Sequence, residues 1–480
     1  MKKYSTFIFT CTFLCQYLIL PIAYSETITP ELGDPYSQTL PLKREDMIGL
    51  SSYRRLQKYN IINNDPHVIS YISYLGNRLS RNILDADRKY NFFVVQSSQI
   101  NAFAIPGGFI GINSGLINLT QNEAELAGVV AHEIAHVKLR HSAEMIANSR
   151  TSSIPMWAGI IAGIFSGNAQ ASMAAIKAGV GMSKQMNINL IRSNETDADN
   201  YAVEIMERSN YSLKDMSNFF DAMENATGEI QRELSYLFTH PMYENRIANI
   251  ESKSINQIRP ISNTTEDYFY IKNILEVSST RDINREISKI RDDTILDNHR
   301  LALLYYKKSD YANAINVLSN AYENHSNNIY IAVLYGKVLS SQKRIEQSIG
   351  VLNNIKNIYP LNRIISITLA EILIENNIKL DYAEEIMRGL DVHYELNPNY
   401  LRLASKLHTL KNNPYEASLY MSDYYLLLDN PGLAIEVLNN SILSIKLDNN
   451  QKKILSEKKI DIMCSSPRPL EPLFGEKTCN

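Results

Sequence analysis

Small residues recur in the C-terminal half of this 480-residue chain at an interval that admits few folds. Ala302 and Ala314 stand 12 apart, and Gly336 and Ser348 repeat that spacing 34 residues later. Two consecutive helices can cross closely only where each carries a small side chain, so the 12-residue spacing marks a helical hairpin. A 34-residue period of such hairpins is that of the tetratricopeptide repeat. Ala383 continues the series at 35, and Ala434, within Gly432–Leu438, marks a later helix pair. Tyr305 before the first turn and Pro360 after the second hairpin fit the same pattern. Residues 265–445 are therefore expected to form about four degenerate repeats, with unstacked helical hairpins as the alternative.

The preceding segment reads differently. Asn91–Gln96 is strand-like, and residues 101–113 read as two more strands around the turn Pro106-Gly107-Gly108. Thr120-Gln121-Asn122-Glu123 has the capping-box pattern, and Leu126, Val129 and Val130 carry a helix on to about His141. Residues 157–180 are apolar, but Ser166–Gln170 interrupts them, leaving two pieces each shorter than the roughly 20 residues of a membrane span. They read as a hairpin that is buried or faces a membrane. The expected fold is mainly α: an α+β domain with a small sheet over residues 26–255, then the all-α repeats, then a tail over 446–480.

Lys2 and Lys3, an apolar run from Phe7 to Ile22 and Ala23-Tyr24-Ser25 make up a secretory signal peptide cleaved after Ser25; an uncleaved anchor helix is the alternative. Cleavage removes Cys11 and Cys15. In an exported chain the remaining Cys464 and Cys479 are expected to close one short disulfide loop, idle thiols being the bland reading. A formal net charge of −3 over the whole chain gives no basis for a nucleic-acid partner.

The densest chemical signal is His132-Glu133-Ile134-Ala135-His136. On a helix, residues four apart share a face, so both imidazoles can reach one zinc ion, and Glu133 beside them can move a proton. A catalytic zinc needs a third protein ligand. Glu195-Thr196-Asp197-Ala198-Asp199 offers two carboxylates on one helical face, with Glu195 assigned to the metal and Asp199 to the free ring nitrogen of a ligand histidine. A solvated acidic helix start is the competing reading. His240-Pro241 with Arg246 could meet the oxyanion of a tetrahedral intermediate, although loop histidines are more often structural. His141, five residues past His136, falls off the metal-facing stripe of a continuous helix and receives no role.

Taken together, His132-Glu133-x-x-His136, Glu195-x-x-Ala198-Asp199 and His240-Pro241-x-x-x-x-Arg246 resemble the zincin family of HtpX and the CAAX prenyl proteases. Asn101–Gly108 and Asn122–Ala127 resemble that family's strand and active-site helix. The signal peptide and the repeats are similar to the BepA-like periplasmic branch over nearly the whole mature chain. The resemblance implies that Glu195, rather than Asp197 or Asp199, is the third ligand. It also implies that His240 can approach as a fourth ligand and hold the site latent, with Arg246 alongside.

The function that follows is hydrolysis of peptide bonds by a periplasmic metalloendopeptidase with one zinc per chain and Glu133 as general base and acid. By resemblance, its clients are unfolded or misassembled outer-membrane β-barrel proteins, its repeats dock on the β-barrel assembly machinery, and peripheral membrane contact is open. The strand Phe109–Asn113 is expected to pair with extended substrate by strand addition. The competing class is a non-proteolytic chaperone that acts through its repeats with the zinc site closed. A purely structural zinc would leave Glu133 without purpose.

Overall fold

The computed structural model describes residues 40–81, 83, 88–147, 184–226, 236–241, 245–257, 264–291 and 294–465. The signal peptide, the apolar 157–180 segment and Cys479 lie outside the described residues. Among the described residues the chain is mainly helical with one three-stranded sheet. Helices α1 (Leu42–Lys58) and α2 (Pro66–Ser80) precede strands β1 (Asn91–Val95), β2 (Ala102–Ile105) and β3 (Phe109–Asn113). Three helices follow directly: α3 (Ser114–Leu119), α4 (Glu123–Lys138) and α5 (His141–Ala147).

β2 and β3 form the expected hairpin, whose turn needs glycine twice. Gly107 and Gly108 have φ of 80° and 79°, in the left-handed region, and a Cβ on Gly108 would lie 2.2 Å from the Lys89 carbonyl oxygen. The strand order is β1-β3-β2, with β1 parallel and β2 antiparallel to β3. This corrects the expectation for Phe109–Asn113: β3 is the central strand, paired on both sides, and offers no edge to a substrate strand.

Alternation along the strands divides the side chains between two cores. Phe92, Val94, Ala102, Ile110 and Ile112 pack with α2 and α4. Phe93, Val95, Phe103, Ile105 and Phe109 join a second core with Tyr53 and Leu56 of α1, and that core runs on into repeat residues such as Ile365, Leu369 and Leu403. The repeats thus fold back over the sheet, where Tyr53 Oη donates to the Leu396 carbonyl at 3.0 Å and Lys89 meets Glu395 at 2.6 Å.

Beyond residue 294 the helices alternate regularly: Ile295–Lys307 with Tyr311–Asn324, Ile329–Ser341 with Ile345–Ile358, Arg363–Glu375 with Leu380–Arg388, and Pro398–Leu410 with Pro414–Leu427. Each tight turn has a residue in the left-handed region at a repeating position, Ser309, Lys343, Asn377 and Asn412, and the third turn adds Lys379. Ala302, Ala314 and Ser348 are fully buried at the crossings, and Ser348 Oγ donates to the Gly336 carbonyl at 2.7 Å. A Cβ on Gly336 would sit 2.8 Å from Leu352 Cγ, so this crossing depends on a missing side chain. Ser405 and Ala417 make the same bridge at 2.8 Å, a pair the sequence reading passed over. Asp429 comes only half a period after Asn412, so Pro431–Ile442, with Ala434, packs on Pro414–Leu427 as a half-step. No described helix is long and apolar enough to cross a membrane.

Candidate metal centre

α4 carries the centre, and both its ends are fixed by side chains. At its start the cap is Asn122, not Thr120: the Asn122 side chain accepts from the Glu125 N–H at 3.0 Å, and Glu125 in turn accepts from the Gln121 N–H at 2.7 Å. Thr120 is engaged elsewhere, its hydroxyl donating to the Ile117 carbonyl and meeting Tyr268 Oη. Glu123, on the first turn, is buried and accepts from Tyr71, Tyr211 and Thr265 hydroxyls at 3.2, 2.7 and 2.5 Å. At its end α4 stops at Lys138, short of the expected His141, because Arg140 turns the chain at φ 54°.

Within α4 the ligand spacing acts as the sequence implied. His132 Nε2 and His136 Nε2 lie 3.0 Å apart on one face. The long helix Lys184–Arg208 crosses α4 and brings Glu195 to them, with its Oε2 3.3 Å from His132 Nε2 and its Oε1 3.4 Å from His136 Nε2. His240, after the short helix Tyr236–Thr239, puts Nδ1 3.1 Å from Glu195 Oε1 and 3.3 Å from His132 Nε2. Donors roughly 2.0–2.1 Å from a tetrahedral zinc are separated by about 3.3 Å. Every one of these separations, from 3.0 to 3.4 Å, is close to that edge length, and the four residues form the cluster of the described chain able to hold a metal. The donor set of three imidazoles and one carboxylate suits zinc.

Protonation fits the same use. Burial would raise the Glu195 carboxyl, but His240, His132 and His136 around it hold it well below the usual carboxylate range. Burial pushes the His136 and His240 imidazoles down, towards the neutral ligand form. Burial also opposes charge on His132, yet hydrogen bonds to Asp199 and Glu195 outweigh it and push the imidazole up to about 9. A metal taking Nε2 would displace one proton there and leave the other on Nδ1, 3.0 Å from Asp199 Oδ1.

The remaining groups form a shell around these four. Glu133 is fully buried, burial raises its carboxyl, and neither oxygen has a hydrogen-bond partner in the described residues, the His240 Nε2 being 3.3 Å away. Arg246 begins the helix Arg246–Ser254; its Nε and Nη2 donate to the two oxygens of Asp199 at 2.6 and 2.8 Å, and its Nη1 lies 2.9 Å from both Glu195 Oε2 and the Pro241 carbonyl. Asp197 is exposed. Two further side chains touch the cluster's histidines. Tyr236 stacks on His240 at 4.5 Å, and His141 Nδ1 lies 2.9 Å from His136 Nδ1. No local sequence signal marked Tyr236; for His141 the helix-continuity argument failed at Arg140.

With this geometry in view, the comparisons are specific. The model of peptidase family M48 matches residues 67–254, which include every residue of the cluster. The β-barrel assembly-enhancing protease of Escherichia coli K12 is 25% identical over 441 residues, covering 90% of each chain. That of Yersinia pestis is 28% identical over 342 residues, 69% of this chain and 70% of its own. The mitochondrial metalloendopeptidase OMA1 of Schizosaccharomyces pombe is 30% identical over 166 residues, 35% of this chain and 47% of its own. Among solved structures, the APC/C heterotetramer Cut9–Hcn1 aligns with 71% of this chain and 81% of its own at 11% identity and a TM-score of 0.32, too loose a likeness to bear on fold or function. Residues 67–254 thus match peptidase family M48, and with the site formed by His132, His136 and Glu195 the chain carries a zinc metallopeptidase domain.

Proposed function

We propose that this chain is an exported endopeptidase and chaperone that acts on misassembled outer-membrane β-barrel proteins and is held latent by His240. The observation that carries the reading is the placement of His240 Nδ1 within the ligand cluster while its Nε2 faces Glu133. Zinc, held by His132, His136 and Glu195, would supply Lewis-acid polarisation of the scissile carbonyl and acidify water. Asp199 keeps the Nδ1 proton of His132 in place, and Arg246 holds Asp199 and Glu195 in one orientation. Glu133, dry and otherwise unpartnered, is the group that takes a proton and returns it to the leaving amine.

His240 has to withdraw before a substrate can share the site. It is the one cluster member outside a long helix. Latency suits a protease working among normal assembly intermediates. Relatives named β-barrel assembly-enhancing proteases, similar over 90% of the chain, support the client class. The same reading places the chain in the periplasm, with the signal peptide cleaved after Ser25 and Cys464 paired with Cys479. The repeats are the surface for the assembly machinery or its stalled clients.

The closed cluster also favours a second reading, a chaperone that does not cut. Purified full-length protein incubated with an unfolded β-barrel client separates the two. Cleavage that requires zinc and disappears in Glu133→Gln supports the protease; binding without zinc-dependent cleavage under any condition supports the chaperone alone.

A further inference from the structure

We propose that His141 is a positioning residue for the metal centre, accepting the Nδ1 proton of His136 and thereby fixing the tautomer and tilt in which His136 presents Nε2. The inference rests on the reading of His136 as a metal ligand. His136 Nε2 points into the cluster, 3.0 Å from His132 Nε2 and 3.4 Å from Glu195 Oε1. A neutral imidazole carries one N–H, so a ring that offers Nε2 as a lone pair must hold its proton on Nδ1. That N–H needs an acceptor, and His141 Nδ1 stands 2.9 Å from it, with the two rings edge to face at 4.9 Å between centroids. His141 must then be neutral, with its own proton on Nε2. It is buried, where burial disfavours the charged ring.

The two ligand histidines are therefore supported differently. His132 leans on the Asp199 carboxylate, a charged acceptor; His136 leans on a neutral ring. His136 is also the more exposed of the pair, with 13% of its side chain accessible against none for His132, so packing restrains it less. A directional hydrogen bond has the larger share in orienting it.

Delivery of His141 is built into the chain. On a continuous helix it would point away, but Arg140 adopts φ 54° and α5 starts afresh at His141. A left-handed arginine is unfavourable and persists only where its surroundings hold it. Here Nε and Nη2 donate to Glu45 Oε1 at 3.0 and 2.8 Å, and Nη2 donates to the Leu40 carbonyl at 2.5 Å. Arg88 Nη1 supports the other oxygen of Glu45 at 3.3 Å and also donates to the Val137 carbonyl at 3.0 Å. The clamp between α1 and the end of α4 thus sets the turn that brings His141 back to His136.

The test uses full-length protein and zinc competition with a chelator, not activity. His141→Phe keeps a ring of similar size and removes the acceptor; His141→Asn restores an acceptor oxygen. His141→Phe is expected to weaken zinc binding about 10–100-fold, and His141→Asn to recover most of it. Both should unfold at the parent urea midpoint when metal-free, which a merely structural histidine would not allow. Zinc held by His141→Phe as tightly as by the parent overturns the proposal. Should His141→Phe fail to fold, selective 15N-histidine spectra of the zinc-loaded parent decide: a proton on His141 Nε2 and a lone pair on Nδ1 support it, and the opposite tautomer overturns it. A parent that binds no zinc would overturn the metal centre as well, and is distinguished by that result.

Discussion

Arg246 is where geometry and the sequence expectation diverge most usefully. An oxyanion donor should keep N–H groups free for substrate, yet this guanidinium, 4% exposed, is directed at Asp199, Glu195 and the Pro241 carbonyl. Asp199 and Glu195 are themselves buried, with 9% and 3% of their side chains accessible. Arg246→Ala would leave two carboxylates in a dry site with their shared cation gone. Breaking a buried ion pair by removing one partner costs about 3–5 kcal/mol, so the metal-depleted protein should lose about that much stability. Arg246→Lys keeps the charge but cannot reproduce the two-pronged contact with Asp199, and should lie between parent and alanine variant. Combining Arg246→Ala with Asp199→Asn removes one of the stranded charges, so the double variant should be more stable than additivity predicts, by about 1–3 kcal/mol. Urea unfolding of five full-length proteins, the parent, these three variants and Asp199→Asn alone, followed by far-ultraviolet circular dichroism, gives these differences. The positioning role is refuted if Arg246→Ala unfolds at the parent midpoint and holds metal normally, yet loses about a hundredfold or more in turnover. That pattern would mean the guanidinium meets substrate.

His240→Ala should raise basal cleavage of an unfolded client if His240 is a latch, and the gain should vanish when Glu133→Gln is added. A turnover roughly a hundredfold lower with zinc retained would make His240 a catalytic residue only. His299 gives a pH prediction away from the metal. Burial, then His67 nearby, pushes its imidazole down to about 3, against partial opposition from Asp65, and the ring stands edge-on to Tyr270 at 5.0 Å. A folded pKa below the unfolded value of about 6.5 means that its contribution is intact above that pH and is lost as pH falls towards 3, at up to about 1.4 kcal/mol per pH unit. His299→Phe should flatten the fall in urea midpoint between pH 6 and pH 3 by about one proton's worth; an unchanged slope would show that the ring is not held neutral.

Much of the site was legible because its spacing is helical and local. His132 and His136 on α4, and Glu195 and Asp199 on Lys184–Arg208, each stand four apart and needed only those helices to converge. What escaped the sequence was non-local. Thr120 looked like the cap of α4 until the Tyr268 hydroxyl, 148 residues on, drew on it, leaving the cap to Asn122. His141 was excluded by helical periodicity, and no glycine or asparagine warned of the turn, because the left-handed residue is Arg140, held by Glu45 from 95 residues away. β3 was expected to take a substrate strand, whereas its parallel pairing with β1 places it in the centre. In the repeats, small residues at a 34-residue interval were readable where both crossing positions were small. The bridge between Ser405 and Ala417 obeys the same geometry, but the hairpin before it pairs Ala383 with the large Glu371 12 residues earlier, which interrupts the pattern.

The central claim is a four-membered cluster in which Glu195 is an obligatory metal ligand, and metal content tests it most directly. Full-length protein should contain about one zinc per chain by elemental analysis, and Glu195→Ala should contain almost none, whereas Glu133→Gln should keep its zinc. Full zinc occupancy in Glu195→Ala would contradict the account, because the cluster would then be assembled around some other third ligand.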